Sequence, residues 1–221
     1  MPSFRVQRSS LSQNVYEQMK QLIFTHAIEP GEKIGLVDLA RKLEVSLTPL
    51  REALTRLKGE GFVVHHPNRG YFVAEITATE VLELYGIREA LESFALTLGV
   101  SRFKEEDITS IADAIEAHRR AVTERDGFLE DKVIHLRLAS LAGNQLLLAM
   151  LELVLDRAIM KLRIDALPRA RSVAAYAEHM DILRAVEKRN ADEAIGHLKK
   201  HFAITREYIL TFLGEQESKP Q

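Results

Sequence analysis

The chain has 221 residues, of which 46% are hydrophobic and 28% charged, with a net charge of −2. That is enough for one large or two modest globular domains. It holds no cysteine, so disulfides, thiolate metal sites and cysteine nucleophiles are excluded. No apolar run approaches the roughly 20 residues of a membrane span. Met1-Pro-Ser-Phe-Arg5 lacks the basic-then-apolar pattern of a signal peptide, so a cytoplasmic protein without a membrane partner is expected.

Charge is slightly uneven. Residues 1–75 carry ten Lys/Arg against eight Asp/Glu, a net of +2, and the remainder carries 20 against 24, a net of −4. The sign suits an N-terminal nucleic-acid module. A first helix, capped by Ser10 or Ser12, is expected to run to about His26, with Val15, Met19, Leu22 and Ile23 at helical spacing. Pro30-Gly31 breaks the chain. A short second helix covers Leu36 to Leu43. Ser46 or Thr48 caps a third, with Pro49 in its first turn, where a missing N–H costs nothing. Phe62-Val-Val-His-His66 and Tyr71-Phe-Val-Ala74 are predicted strands joined by a hairpin tip, Pro67-Asn-Arg-Gly70.

Three helices with a tight turn before the third, then a hairpin, is the order of a winged helix-turn-helix. Asp38-Leu-Ala40, Val45-Ser46, Thr48-Pro-Leu-Arg-Glu-Ala-Leu54, Leu57, Gly61 and Pro67-Asn-Arg-Gly70 resemble the DNA-binding domain of the GntR family of bacterial transcription regulators. The third helix then presents its N-terminal turn to the major groove. Ser46 and Thr48 can bond phosphate or base edges, and Arg51 can reach guanine O6 and N7. The expected DNA contacts are Ser46, Thr48, Arg51, Arg56, Asn68, Arg69 and Gly70. Two positions depart from the family. Leu47 stands where arginine usually follows Val-Ser, and Val37 stands where a polar residue usually precedes Asp38.

Thr77 with Glu80 reads as a capping box, and no convincing strand follows. Helices are expected over about 78–101, 105–124, 126–141, 144–165, 172–188 and 191–213, with a polar, disordered tail at 215–221. The fold class is mainly α: a winged helix-turn-helix over 1–75, a linker at 76–80, and an all-α bundle of six or seven helices over 81–214.

Asp131 and His135 lie four residues apart on one helix face with Phe128, Leu138 and Ala142. His179 shares a face with Ile182, Leu183 and Val186; His201 shares one with Leu198, Thr205 and Tyr208. Four potential ligands thus point into a helical core, where each needs a partner. Spacing alone permits a structural zinc, a catalytic site or a satisfied polar cluster. His197 falls toward the edge of its stripe and is left out, and His26, His65, His66 and His118 read as surface or turn residues.

Residues 80–213 resemble the FCD-type effector domain of the FadR-like branch of that family. The resemblance rests on Arg88-Glu-Ala-Leu-Glu92, Asp131-x3-His135, Ala142-Gly-Asn144, Glu178-His179 and Asp192 through His201. It implies a metal set of Asp131, His135, His179 and His201, open in coordination, with water or an organic acid completing the shell. Imidazole with carboxylate suits Zn, Ni, Fe or Mn. Arg88 and Asn144 are the expected effector-binding residues. Arg88 has a second reading, a surface ion pair with Glu92 one turn away. No general base or phosphate loop is visible, so the chain is not expected to be an enzyme. The expectation is a homodimeric regulator, acting as a repressor on double-stranded operator DNA and responding to a small carboxylate metabolite. The alternative is a metal sensor with the ion itself as effector.

Overall fold

The computed structural model describes residues 9–121, 127–162 and 169–217. Among these are helices and one small sheet, and the chain divides into two compact units, Met1–Ile76 with Met160–Arg163 and Thr77–Ile159 with Ile164–Gln221; α7 is described with the second, which holds most of it. No helix among them is long and apolar enough to cross a membrane.

The first unit contains α1 (Ser9–Phe24), α2 (Leu36–Lys42), α3 (Leu47–Gly59) and an antiparallel hairpin, β1 (Val63–His66) with β2 (Gly70–Val73). Val15, Met19 and Ile23 of α1 meet Leu50, Ala53, Leu54 and Leu57 of α3 and Leu39 and Ala40 of α2 in one apolar core. Val63 pairs with Val73 and His66 with Gly70. The tip turns through Asn68 (φ 63°) and Gly70 (φ 98°), left-handed conformations that asparagine and glycine tolerate. Ser46 is the N-cap residue of α3, in extended conformation.

The second unit contains α4 (Ala78–Gly99), α5 (Glu105–Ala121), α6 (Gly127–Ser140), α7 (Gln145–Lys161), α8 (Arg169–Glu187) and α9 (Ala191–Glu217). The expected cap at Thr77 forms, and Asn190 caps α9 in the same way. The Glu80 amide donates to the Thr77 hydroxyl at 3.2 Å, and the Glu193 amide donates to the Asn190 side chain at 3.1 Å. Differences lie at the ends. Helix α7 stops at Lys161, earlier than expected, and residues 163–168 lie outside the described part. Helix α8 begins at Arg169, before the expected 172, and α9 runs on to Glu217, into the expected tail. Arginine, glutamate and glutamine are good helix formers, and α9 continues through Gly214, which disfavours a helix without forbidding it. Residues 218–221 are not described. On α9 the buried stripe runs through Leu198, Phe202 and Ile209, whereas Tyr208 is exposed.

One close approach fixes the bundle. A Cβ added at Gly99 would lie 2.5 Å from the Leu141 Cβ and 2.6 Å from its carbonyl carbon, so the end of α4 is pressed against the turn after α6. Gly99→Ala is expected to destabilise the second unit by about 1–3 kcal/mol. Gly86→Ala, at an open helical position with nothing within 4 Å, is expected to be neutral or slightly stabilising. Thermal denaturation of the two variants side by side separates the effects; equal melting temperatures would refute the close-packing argument.

Candidate metal centre

Asp131, His135, His179 and His201 come together, each offering one ligand atom, all within 4.8 Å of one another. Helix α6 supplies the first two from consecutive turns, α8 the third and α9 the fourth. His135, His179 and His201 are buried, and the Asp131 side chain is 25% exposed. Asp131 Oδ2 is 3.6 Å from His135 Nε2, and its Oδ1 is 3.4 Å from His179 Nε2. Those spacings are long for hydrogen bonds. Neither imidazole Nε2 has a hydrogen-bond partner among the described residues. Bonds of about 2.0–2.2 Å to one ion would put neighbouring ligand atoms about 2.9–3.6 Å apart. The residues present therefore fit a divalent transition metal.

Two further carboxylates set the direction of the rings. His135 Nδ1 is 2.6 Å from Glu92 Oε2, and His201 Nδ1 is 2.7 Å from Glu178 Oε2. An ionised carboxylate only accepts, so each ring carries its proton on Nδ1 and leaves the Nε2 lone pair free for an ion. Each carboxylate is held in turn by a buried arginine. Arg88 Nε donates to Glu92 Oε1 at 3.0 Å. Arg171 Nη1 donates to Glu178 Oε1 at 2.7 Å, and its Nη2 bonds the other oxygen. Arg171 also donates to the Thr205 hydroxyl at 2.9 Å. Arg88 stacks on Phe202 at 4.5 Å and on Tyr85 at 5.1 Å, and its Nη2 is buried with no hydrogen-bond partner.

The electrostatics follow from burial. Burial pushes the Asp131 carboxyl up, but the surrounding imidazoles outweigh it and hold the group below the usual carboxylate range. Burial drives the His179 imidazole well below its ordinary value, and neighbouring His201 adds to this. Burial lowers His201 too, against the opposing pull of Glu178. Tyr85 is pushed up to about 12, chiefly by burial, and remains a neutral hydroxyl.

The other expected site residues fall into place separately. Asn144 caps α7, its side-chain oxygen accepting from the Leu147 amide at 3.1 Å, and Gly143 (φ 64°) makes the turn before it. Arg88 does pair with Glu92, but the pair is buried, not a surface one. In the first unit Ser46, Thr48, Arg51, Asn68 and Arg69 are exposed and Gly70 is half-buried. Arg56 is exposed but engaged: it lies 3.6 Å over the Tyr16 ring and bonds Glu60 and Gln13. Leu47 and Val37, which depart from the family pattern, are both exposed.

Comparison with known proteins decides the family. The model of bacterial regulatory proteins of the gntR family matches residues 11–73, and that of the FCD domain matches residues 83–203. The chain belongs to the GntR family. The Nta operon transcriptional regulator of Aminobacter aminovorans is 32% identical over 191 residues, covering 84% of this chain and 90% of the relative. The HTH-type transcriptional regulator YdhC of Bacillus subtilis is 29% identical over 206 residues, covering 90% and 91%. A GntR regulator from Rhodococcus sp. RHA1 has the same fold, with a TM-score of 0.79 at 26% identity, covering 92% of this chain and 99% of that one. This GntR chain is therefore a DNA-binding transcription regulator and not an enzyme.

Sequence reading missed four residues of the FCD site. Glu92 and Glu178 had no visible task, since their imidazole partners come from other helices. Arg171 carried no signal beyond its two-turn spacing from Glu178. His118, expected at the surface, is 3% exposed, and its ring lies 5.5 Å from that of His179. A signal existed: Ile111, Ala114, Ile115 and His118 share the buried stripe of α5.

Three of these histidines give a pH dependence. Burial lowers His118, His179 and His201 below 6.5 in the folded chain. Below that value the unfolded chain binds protons that the folded chain refuses, so stability must fall as pH falls. Chelator-treated protein is expected to melt at a lower temperature at pH 5.5 than at pH 7.5. A flat melting temperature across that range would show that the rings are not buried as neutral groups.

Proposed function

We propose that this regulator binds a divalent transition metal (Zn, Ni, Fe or Mn) through Asp131, His135, His179 and His201. A small carboxylate takes up the ion's free coordination, steadied by Arg88, and lowers operator affinity, so that the chain acts as a cytoplasmic repressor. Residues 1–75 bind operator DNA, 76–80 link, and 81–214 sense the effector. The observation that carries this reading is a cluster of ligand atoms within 4.8 Å whose His135 Nε2 and His179 Nε2 have no hydrogen-bond partner among the described residues. The buried, unpartnered Arg88 Nη2 supports an anion beside it. On DNA, the exposed N-terminal turn of α3 with Ser46, Thr48 and Arg51, and the wing tip with Asn68, Arg69 and Gly70, support groove contact. A homodimer reading two half-sites is supported by exposed Leu146, Met150 and Leu153, which share one face of α7 and would be covered by a second copy.

Operator fragments obtained by selection from random DNA allow the reading to be tested by fluorescence anisotropy. Arg51→Ala is expected to weaken specific binding by about 1–3 kcal/mol. His135→Ala is expected to lose the metal, measured by elemental mass spectrometry, and to keep operator binding while losing the response to carboxylate. Metal stoichiometry that survives His135→Ala would sink the metal centre. An operator response to metal alone, without any acid, would make the ion itself the effector.

A further inference from the structure

Two buried arginines beside a metal cluster suggest at first a ligand with two negative charges. The ion pairs point the other way. Arg88 and Glu92 are 5% and 3% exposed and pair at 3.0 Å. Arg171 and Glu178, at 3% and 18%, share two bonds. Each arginine is thus matched by its own carboxylate, and each carboxylate also holds a ligand imidazole by Nδ1. The result is two arginine–carboxylate–histidine chains, each carrying no net charge, since a metal-bound imidazole is neutral. Lys132, on α6 beside Asp131, turns its ammonium to Asp156 at 2.6 Å and Glu152 at 3.1 Å on α7. Asp131 is the remaining ionised group in the cluster. Its single negative charge against a divalent cation leaves one positive charge uncompensated in a buried site.

A buried site tolerates little unbalanced charge. We propose that the effector site selects carboxylates of one negative charge over those of two or three. This rests on the metal and organic-acid reading given above. The single carboxylate neutralises the site, with Arg88 Nη2 and Arg171 Nε, both buried and without a partner among the described residues, as the donors left for its oxygens. A second carboxylate finds both arginines already matched and leaves the site negative. Any further polar group on the ligand is therefore a neutral one.

The test uses pairs of ligands alike in shape and different in charge: succinamate against succinate, and lactate against malate. Isothermal titration calorimetry on the full-length, zinc-loaded chain is expected to show the monoanion of each pair binding tighter by at least about tenfold. Glu178→Gln and Glu92→Gln each remove one negative charge, and in either variant that preference is expected to shrink or reverse. Zinc content per chain, measured in parallel, identifies the variants that still hold the ion. Dianions binding the zinc-loaded wild type as tightly as monoanions would overturn the proposal while leaving the organic-acid reading intact. An unchanged preference in a zinc-retaining variant would overturn it equally. If neither variant retains zinc, the wild-type order decides. Failure of all four acids to bind the zinc-loaded wild type is a different result, and removes the organic-acid reading itself.

Discussion

The bundle of the second unit is built around a contradiction: four ligand groups face one another in a helical core without satisfying one another. Asp131 comes no nearer than 3.4 Å to His179 Nε2 and 3.6 Å to His135 Nε2. Each buried nitrogen left without a partner costs about 1–3 kcal/mol. An apolar core of the same volume would avoid that cost, so the cluster makes sense as a place prepared for a cation. The candidate ligands come from α6, α8 and α9, and the groups that orient them from α4 and α8, so the cluster depends on most of the bundle.

That dependence explains why the orienting groups are buried ion pairs, which are costly where apolar packing would do. A free imidazole can rotate or carry its proton on either nitrogen. Glu92 and Glu178 remove that freedom by holding Nδ1. Arg88 and Arg171 then keep the two carboxylates ionised; Glu92, despite its burial, is held below the ordinary glutamate range by His135 and Arg88. Phe202 closes the arrangement, stacking with Tyr85 at 5.7 Å, His135 at 5.6 Å and the Arg88 guanidinium at 4.5 Å.

Much of this was legible in the sequence, and what was not has a physical reason. Asp131-x3-His135 is a local pattern, and a helix of any packing puts its members on one face. His179 and His201 could be seen because apolar neighbours at helical spacing pointed them inward. The bonds of Glu92 and Glu178 to the imidazoles could not be read, because a carboxylate on α4 meets an imidazole on α6 only after the helices pack. Asn144 has a task that its motif position did not reveal: its side-chain oxygen accepts from the Leu147 amide in the first turn of α7. Helix ends were the least legible, since α8 starts before the expected residue 172 and α9 continues through Gly214.

The first unit is held by other means, which bears on how a ligand signal can be separated from folding. Its core is apolar throughout, from Val15 and Met19 to Leu57 and Val73. Its main polar knot is small: Arg56 stacked on Tyr16, with Glu60 bonding both. Burial and Glu60 raise Tyr16 to about 12, so its hydroxyl stays protonated across the physiological range. Nothing in that core depends on an ion or a small molecule. A change at the cluster of Asp131, His135, His179 and His201 touches none of the residues of that core. The exposed Leu47 belongs to the same argument. At the first turn of α3 it contributes little to that core, so its replacement by arginine would change DNA reading before it changed stability.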